Sequence, residues 1–255
     1  MKAPTEKIDV GFYSGKKASR ISEYVIREEP VEIFLDNRKV ATIACTGIHL
    51  EELAAGFLRS AGIIRVQEDI KKITTSVEKS RVDVLTKNEG ISKPDSPEIF
   101  VMSSGAKTRE SGKSENSITS DIFIPAKKVA DFMETLLSSS KLHRVTHGTH
   151  CSALADTKGI IVSRDDIGRH NTIDMLGGYT LLNGIDCSDK IIIKTGRVSS
   201  EIAEKVWTMG IPIVISHSVP TSEAVNILEN AGITLIGHVR NGSFKIYSNE
   251  RRVRF

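Results

Sequence analysis

The sequence predicts an α/β fold whose sheet is at least partly parallel and covered by helices on both faces, and three observations predict it. From Pro125 onward, short apolar runs alternate with amphipathic helical patterns in β-α-β-α-β order, the pattern of strands joined by crossover helices. The runs Ile191–Lys194 and Ile211–Ser216 are almost wholly apolar rather than alternating, as strands covered on both faces are. Polar motifs stand where strands hand over to helices: Asp166-Ile167-Gly168-Arg169-His170, Thr195-Gly196-Arg197-Val198-Ser199-Ser200-Glu201 and Ser216-His217-Ser218-Val219-Pro220-Thr221-Ser222. In open α/β sheets such handovers line the crevice at the carboxyl ends of the strands, where ligands bind. Their Gly, Ser and Thr residues offer N–H groups and hydroxyls at helix starts, which suit a phosphate-bearing anion.

Taken in order, Met1–Lys17 is polar and reads as a loose tail. Tyr24–Arg27, Val31–Leu35 and Val40–Ala44 read as short strands, the last two joined by a turn at Asp36-Asn37. His49–Ala61 is a helix: Leu50, Leu53, Ala54, Phe57 and Leu58 give the i, i+3, i+4 stripe, and Gly62 stops it. Gly56 within it permits a close neighbour. Ile70–Thr75 and Arg81–Leu85 read as a further strand pair. From Thr86 to Ser120 the composition shifts to Lys, Ser, Gly, Glu and Pro, with only Ile99–Met102 apolar. A loop this long in a compact chain is usually functional or disordered, and its polarity predicts that Lys87–Ser120 is mobile and cut first by proteases. It also suits a boundary between a small α+β domain with a long polar loop (1–119) and an α/β domain (120–255).

Helix Ala126–Leu137 carries Val129, Phe132, Met133, Leu136 and Leu137 on one face, with Pro125 at its start. Ser152–Asp156 and Ile160–Arg164 pair across Thr157-Lys158-Gly159. Then come a helix from Gly168 to Leu182, strand Ile191–Lys194, helix Ser199–Met209, strand Ile211–Ser216, helix Thr221–Asn230 and strand Thr234–His238. Asn241-Gly242 turns the chain into Phe244–Tyr247.

Composition narrows the function classes. With 35 basic and 32 acidic side chains the net charge is only +3, which argues against a dedicated nucleic-acid binder. No apolar run approaches the length of a membrane span, and Met1–Lys17 has no apolar block of the kind a secretory signal needs. Three cysteines, Cys45, Cys151 and Cys187, lack framework spacing and read as free thiols in a reducing cytoplasm.

Each motif also has a plain reading. Asp166 caps a helix equally well with no ligand present. Gly196 allows either a tight turn or close ligand approach, and Arg197 can grip a phosphate bidentately. Neither a Walker loop nor a G-x-G-x-x-G motif occurs. His143, His147, His150 and Cys151 have a spacing that would suit zinc on a helix, but Gly148 and two threonines interrupt the segment, so no metal site is expected. Zinc-deaminase chemistry needs H-x-E and P-C-x-x-C, and both are absent. Glu28-Glu29-Pro30 reads as a charged turn, and Arg251, Arg252 and Arg254 read as a solvated tail that could supplement an anion site.

Together and in this order, the motifs resemble the formate dehydrogenase accessory sulfurtransferase family, FdhD. The resemblance is carried by Glu28-Glu29-Pro30-Val31-Glu32-Ile33, Glu51–Leu58 with Gly62-Ile63-Ile64, Asp166–Asn171, Gly196–Glu201, Pro220–Val225 and Gly232–Gly237. It implies a three-layer cytidine-deaminase-like domain without zinc, preceded by a small α+β domain, in a cytoplasmic homodimer. It implies a sulfur carrier that takes sulfur from a cysteine desulfurase as a persulfide and passes it to the molybdenum (or tungsten) bis-molybdopterin guanine dinucleotide cofactor, for formate dehydrogenase. Cofactor contacts are implied at His238, Val239, Arg240, Asn241, Gly242 and Ser243. The handover residues Arg169, His170, Gly196, Arg197, Ser218 and Thr221 complete the expected site.

One departure matters. The family carries a cysteine motif in the long central loop, whereas Ser103–Lys113 contains no cysteine, and Thr108 and Ser111 stand at the two cysteine positions. A hydroxyl cannot carry persulfide sulfur, which needs a thiolate. Cys151, beside His150, is the remaining thiol at a motif-like position. Three functions therefore compete: a sulfur carrier, a chaperone that holds the cofactor without sulfurating it, and a metal-dependent hydrolase using the His143–Cys151 cluster.

Overall fold

The structure, a computed structural model, describes residues 3–76, 78, 80–87, 99–101 (backbone only) and 116–255. Thr5–Ser14 (β1) and Lys17–Ile26 (β2) form an antiparallel ribbon that turns at Gly15, where φ is 61°. This overturns the loose tail. The ribbon is held by backbone pairing while most of its side chains stay exposed, so no burial pattern marked it in the sequence. Glu29–Leu35 (β3) and Arg38–Cys45 (β4) are a hairpin across Asp36 and Asn37. Both turn residues are left-handed, with φ of 46° and 66°, the conformation a tight two-residue hairpin requires.

Leu50–Ser60 (α1) follows, then Ile70–Ser76 (β5) and Arg81–Thr86 (β6), which pair antiparallel as predicted. The apolar Ile99–Val101 stretch of the long polar segment is an edge strand (β7) running parallel to β4. These strands make one mixed five-stranded sheet in the order β5-β6-β3-β4-β7. The remainder of the expected loop, with Thr108 and Ser111, lies outside the described residues as far as Glu115. Beyond it the chain is docked: the Ile118 amide donates to Ala231, and the Trp207 indole donates to the Asn116 carbonyl.

Ile124–Pro125 (β8) leads into Ala126–Ser139 (α2) and a short helix, Lys141–Thr146 (α3), that the sequence pattern did not reveal. His150–Ala155 (β9), Ile160–Asp166 (β10), Arg169–Leu182 (α4), Ile191–Lys194 (β11), Ser200–Met209 (α5), Ile213–Ser216 (β12), Ser222–Asn230 (α6), Thr234–Arg240 (β13) and Ser243–Ser248 (β14) follow. Val253–Arg254 (β15) closes the chain against β8. The second sheet runs β10-β9-β11-β12-β13-β14, with β11, β12 and β13 parallel and the outer pairings antiparallel. Its strands alternate between two apolar layers. Ile192, Val214 and Leu235 pack with α4, α5 and α6, while Ile191, Ile193, Ile213 and Ile215 pack with α2. The partly parallel sheet covered on both faces is thus as the sequence predicts.

Helix α4 joins the two sheets. Ile173 and Leu176 face the second sheet's core, while Met175 and Leu181 enter the core of the first sheet with α1. A helix buried all round carries no amphipathic stripe, which is why α4 shows none. Glycine permits its contact with α1. A Cβ on Gly178 would lie 1.9 Å from the Glu52 carbonyl oxygen, and one on Gly56 would collide with Asp174. Arg164 of β10 ties α1 to the second sheet as well, its guanidinium gripping the Glu52 carboxylate at 2.5 and 2.6 Å.

Candidate functional site at the carboxyl edge of the sheet

The parallel strands β11, β12 and β13 end on one edge, at Lys194, Ser216 and Arg240. Antiparallel β9 begins there and β10 ends there, since Lys194 pairs with Ser152 and Asp166 with His150. The chain therefore delivers His150, Asp166–His170, Lys194–Ser199, Ser216–Ser218 and His238–Ser243 to a single rim. Every predicted site residue except Thr221, which opens α6 one step further out, lies on it.

Asp166 organises the first loop. Its Oδ2 accepts from the amide and hydroxyl of Thr46, both at 2.8 Å, and its Oδ1 accepts from the Gly168 amide and from Asn171 Nδ2. Asn171 also donates to the Ala44 carbonyl. This buried carboxyl therefore ties the end of β4 to the rim and braces the turn into α4, whose N-cap is Gly168 and not the expected Asp166. Burial pushes its pKa up, against hydrogen bonds that favour the carboxylate.

Beside it, His170, Gly196 and His150 form a crowded basic cluster. A Cβ on Gly196 would stand 3.1 Å from His150 Nδ1 and 3.2 Å from the Arg169 Cβ, so a side chain here would fit only if its neighbours moved by a few tenths of an ångström. Burial, reinforced by Lys205, Arg169 and Lys194, pushes His170 down to about 3; burial and Lys194 push His150 down to about 4. His170 is thus neutral, with its Nε2 2.9 Å from Glu201. Its proton sits on Nε2, and the buried Nδ1 is an acceptor without a partner among the described residues. Lys194 is fully buried, and burial next to Arg169 lowers it to about 7. Its ammonium donates to the Gly196 and Arg197 carbonyls and so holds that loop. Arg197 itself is exposed.

The remaining loops are laced to one another. The His217 amide donates to Lys194, that of Thr221 to Val198, and that of His238 to Ser218. The Thr221 hydroxyl caps α6 by accepting from the Ala224 amide, and Ser216 Oγ accepts from the Ser218 amide. These donors, expected to be open to an anion, are engaged within the protein. The open surface lies instead beyond β13. Val239, Arg240, Asn241 and Gly242 line a groove of about 720 Å³ with His217, and α2 forms the opposite wall through Met133, Glu134 and Leu137. That is the size of a small-molecule site. Asn241 and Gly242 are left-handed, with φ of 50° and 74°, and His238 shares this conformation at 56°. His217 lies within the field of His238 and Arg240; burial first, then these neighbours, lower its pKa. Ser243 Oγ donates to the Arg240 carbonyl and braces the turn. The predicted residues thus fall into two groups two strands apart, roughly 10 Å at the usual spacing.

Sequence reasoning missed Lys194, Glu201, His217 and the α2 wall. A lysine ending the Ile191–Ile193 run was a legible signal, because such a strand is buried on both faces. The histidine cluster does not converge. His143 Nδ1 bonds the Thr149 carbonyl at 2.7 Å, its ring meets His147 edge-on, and Cys151 is buried on β9. Among the described residues no three His, Cys, Asp or Glu side chains are placed to share a metal ion.

Cys151, the thiol at the motif-like position, has neither an imidazolium nor a helix start beside it to favour its thiolate. It sits in a strand, 1% exposed, beside a neutral His150, and burial and Asp165 raise its thiol pKa. Burial pushes Cys45 up to about 12 and also raises Cys187. All three thiols are free and buried.

The fold and its rim define an α/β protein with a site at the carboxyl ends of parallel strands, and comparison makes the class specific. The family model described as FdhD/NarQ matches residues 26–254. The sulfur carrier protein FdhD of Bacillus subtilis is 36% identical over 252 residues, 96% of each chain. That of Staphylococcus aureus strain MRSA252 is 34% identical over 250 residues, 96% of this chain and 94% of the relative. A crystal structure described as a formate dehydrogenase accessory protein from Desulfotalea psychrophila superposes with a TM-score of 0.85 at 25% identity, covering 98% of this chain and 100% of that one. This chain belongs to the FdhD/NarQ family, as its motifs led us to expect.

Proposed function

We propose that this protein serves the maturation of formate dehydrogenase by holding the molybdenum (or tungsten) bis-molybdopterin guanine dinucleotide cofactor as cargo, without carrying sulfur on a thiolate of its own. The observation that carries the cofactor part is the groove between α2 and the β13–β14 turn. Arg240 supplies a phosphate-gripping guanidinium there, His217 an imidazole ring, and Met133 and Leu137 an apolar wall. This donor set fits a pyrophosphate linked to a flat base. The second part rests on the three buried thiols and on the absence of any further cysteine from the sequence.

The accompanying frame is a cytidine-deaminase-like three-layer domain without zinc over 120–255, preceded by a small α+β domain over 1–119. The protein is cytoplasmic and homodimeric, and its client is formate dehydrogenase. Among the described residues no helix is long and apolar enough to cross a membrane. A second reading follows the relatives' name: a sulfur carrier loaded by a cysteine desulfurase. It would require one of Cys45, Cys151 or Cys187 to become exposed. Incubation with a cysteine desulfurase and cysteine, followed by mass spectrometry, separates the two. We expect no persulfide on any of the three cysteines, together with retained binding of GDP; a persulfide on any of them would establish the carrier.

A further inference from the structure

A second cavity, of about 360 Å³, lies at the opposite edge of the sheet, between the segment leading into α2 and the last residues of the chain. Arg251, Arg252 and Arg254 line it with Ser120, Asp121 and Phe123. β13 fixes its distance from the rim. Arg252 reaches Thr234, the first residue of that strand, whereas Arg240 of the groove is its last. The seven residues of β13, at about 3.3 Å each, put the two places roughly 20 Å apart.

The three guanidinium groups are held in different ways. Arg252 is 2% exposed and donates to the carbonyls of Gly232 at 2.6 Å, Ile118 at 3.2 Å and Ser120 at 3.3 Å, and to Thr234 Oγ1 at 3.4 Å. Every one of these acceptors is neutral. The guanidinium carbon of Arg254 stands 3.3 Å from the centroid of the Phe123 ring, a cation–π contact that supplies no opposite charge. Arg251 is exposed. Among the described residues none of the three forms an ion pair. Among the described residues Asp121 is the one acid that lines the cavity, so three positive charges against one negative leave an excess of two.

A buried cation with only neutral acceptors is unfavourable unless opposite charge comes close, and guanidinium forks match phosphate oxygens bidentately. We propose that this cavity is a second anion site, separate from the rim, that takes a phosphate dianion, either free or borne on a larger molecule. The two excess charges match a dianion, whereas a carboxylate would leave one uncompensated.

The test is calorimetric titration of the full chain with inorganic phosphate, with thermal melts against sodium chloride of equal ionic strength. We expect saturable binding and a melting temperature raised above the chloride control. The double variant Arg251→Ala/Arg254→Ala, which leaves the Arg252 anchor in place, should weaken binding about tenfold, the loss of a charge-assisted hydrogen bond or more. Asp121→Asn should tighten it. Phosphoserine is titrated in parallel: tighter binding than inorganic phosphate assigns the site to a phosphate carried on a larger molecule, weaker binding to the free ion. No saturable binding in the wild type would overturn the site. So would phosphate affinity undiminished in the double variant, and so would its failure to rise in Asp121→Asn.

Discussion

Gly56 of α1 and Asp174 of α4 approach so closely that a Cβ on Gly56 would stand 1.7 Å from the Asp174 carbonyl oxygen. The same Asp174 accepts from Ser60 Oγ at 2.7 Å and from Lys205 at 2.5 Å. The helix that completes the first sheet's core is therefore clamped, backbone to backbone, to the helix that begins the rim.

A methyl group has nowhere to go at that crossing, because the atoms it would meet are backbone. Gly56→Ala and Gly178→Ala should each destabilise the fold by about 3 kcal/mol, the upper range of overpacking. Gly159→Ala, where the added Cβ meets nothing within 4 Å, is the control. Urea unfolding midpoints measure both, and equal midpoints for Gly56→Ala and Gly159→Ala would contradict the close crossing.

At the groove, Arg240→Ala should weaken GDP binding by about 1–3 kcal/mol, the scale of a hydrogen bond to a charged group. Thr221→Val should leave it nearly unchanged, since that hydroxyl already caps α6. Calorimetry reads both. Unaltered affinity in Arg240→Ala would remove the β13–β14 turn from the site.

The thiols should be unreactive in the native protein. Burial disfavours the thiolate at Cys45, Cys151 and Cys187, and only the thiolate reacts. Ellman's reagent at neutral pH should label none rapidly in the folded chain and all three in denaturant. Fast labelling of one native thiol would identify the exposed carrier that the second functional reading needs.

Acid should destabilise the protein through His170. Its folded-state pKa, about 3, lies below the ordinary value of 6.5. Its contribution is therefore fully present above pH 6.5 and is lost as pH falls from 6.5 toward 3, because the unfolded chain binds the proton first. Between pH 7 and pH 5 the wild type should lose about 1–2 kcal/mol more than His170→Gln. Parallel losses in the two proteins would mean that His170 takes up its proton without unfolding.

Much of this was legible beforehand because it is local. The stripe Leu50, Leu53, Ala54, Phe57, Leu58 and the runs at Ile191 and Ile211 are set by spacings of two to four residues, and they appear as α1, β11 and β12. Gly56 announced a close neighbour, and Asn241-Gly242 announced its hairpin. Strand β1, the part of β2 before Tyr24 and helix α3 escaped because their residues are largely exposed or short in span, and without burial there is no periodicity to read.

By itself, then, the sequence determined the order of strands and helices and the family motifs that end on the rim. Only the tertiary structure decided which of those motif atoms remain open. Whether the His217, Thr221 and His238 amides face a ligand depends on carbonyls of Lys194, Val198 and Ser218, each brought alongside by the parallel sheet rather than by adjacency in the chain. The same holds for Cys151 and Lys194, whose proton affinities follow from burial and from the charge of Asp165 and Arg169. Periodicity is fixed by neighbours along the chain, whereas desolvation and hydrogen-bond satisfaction are fixed by neighbours in space.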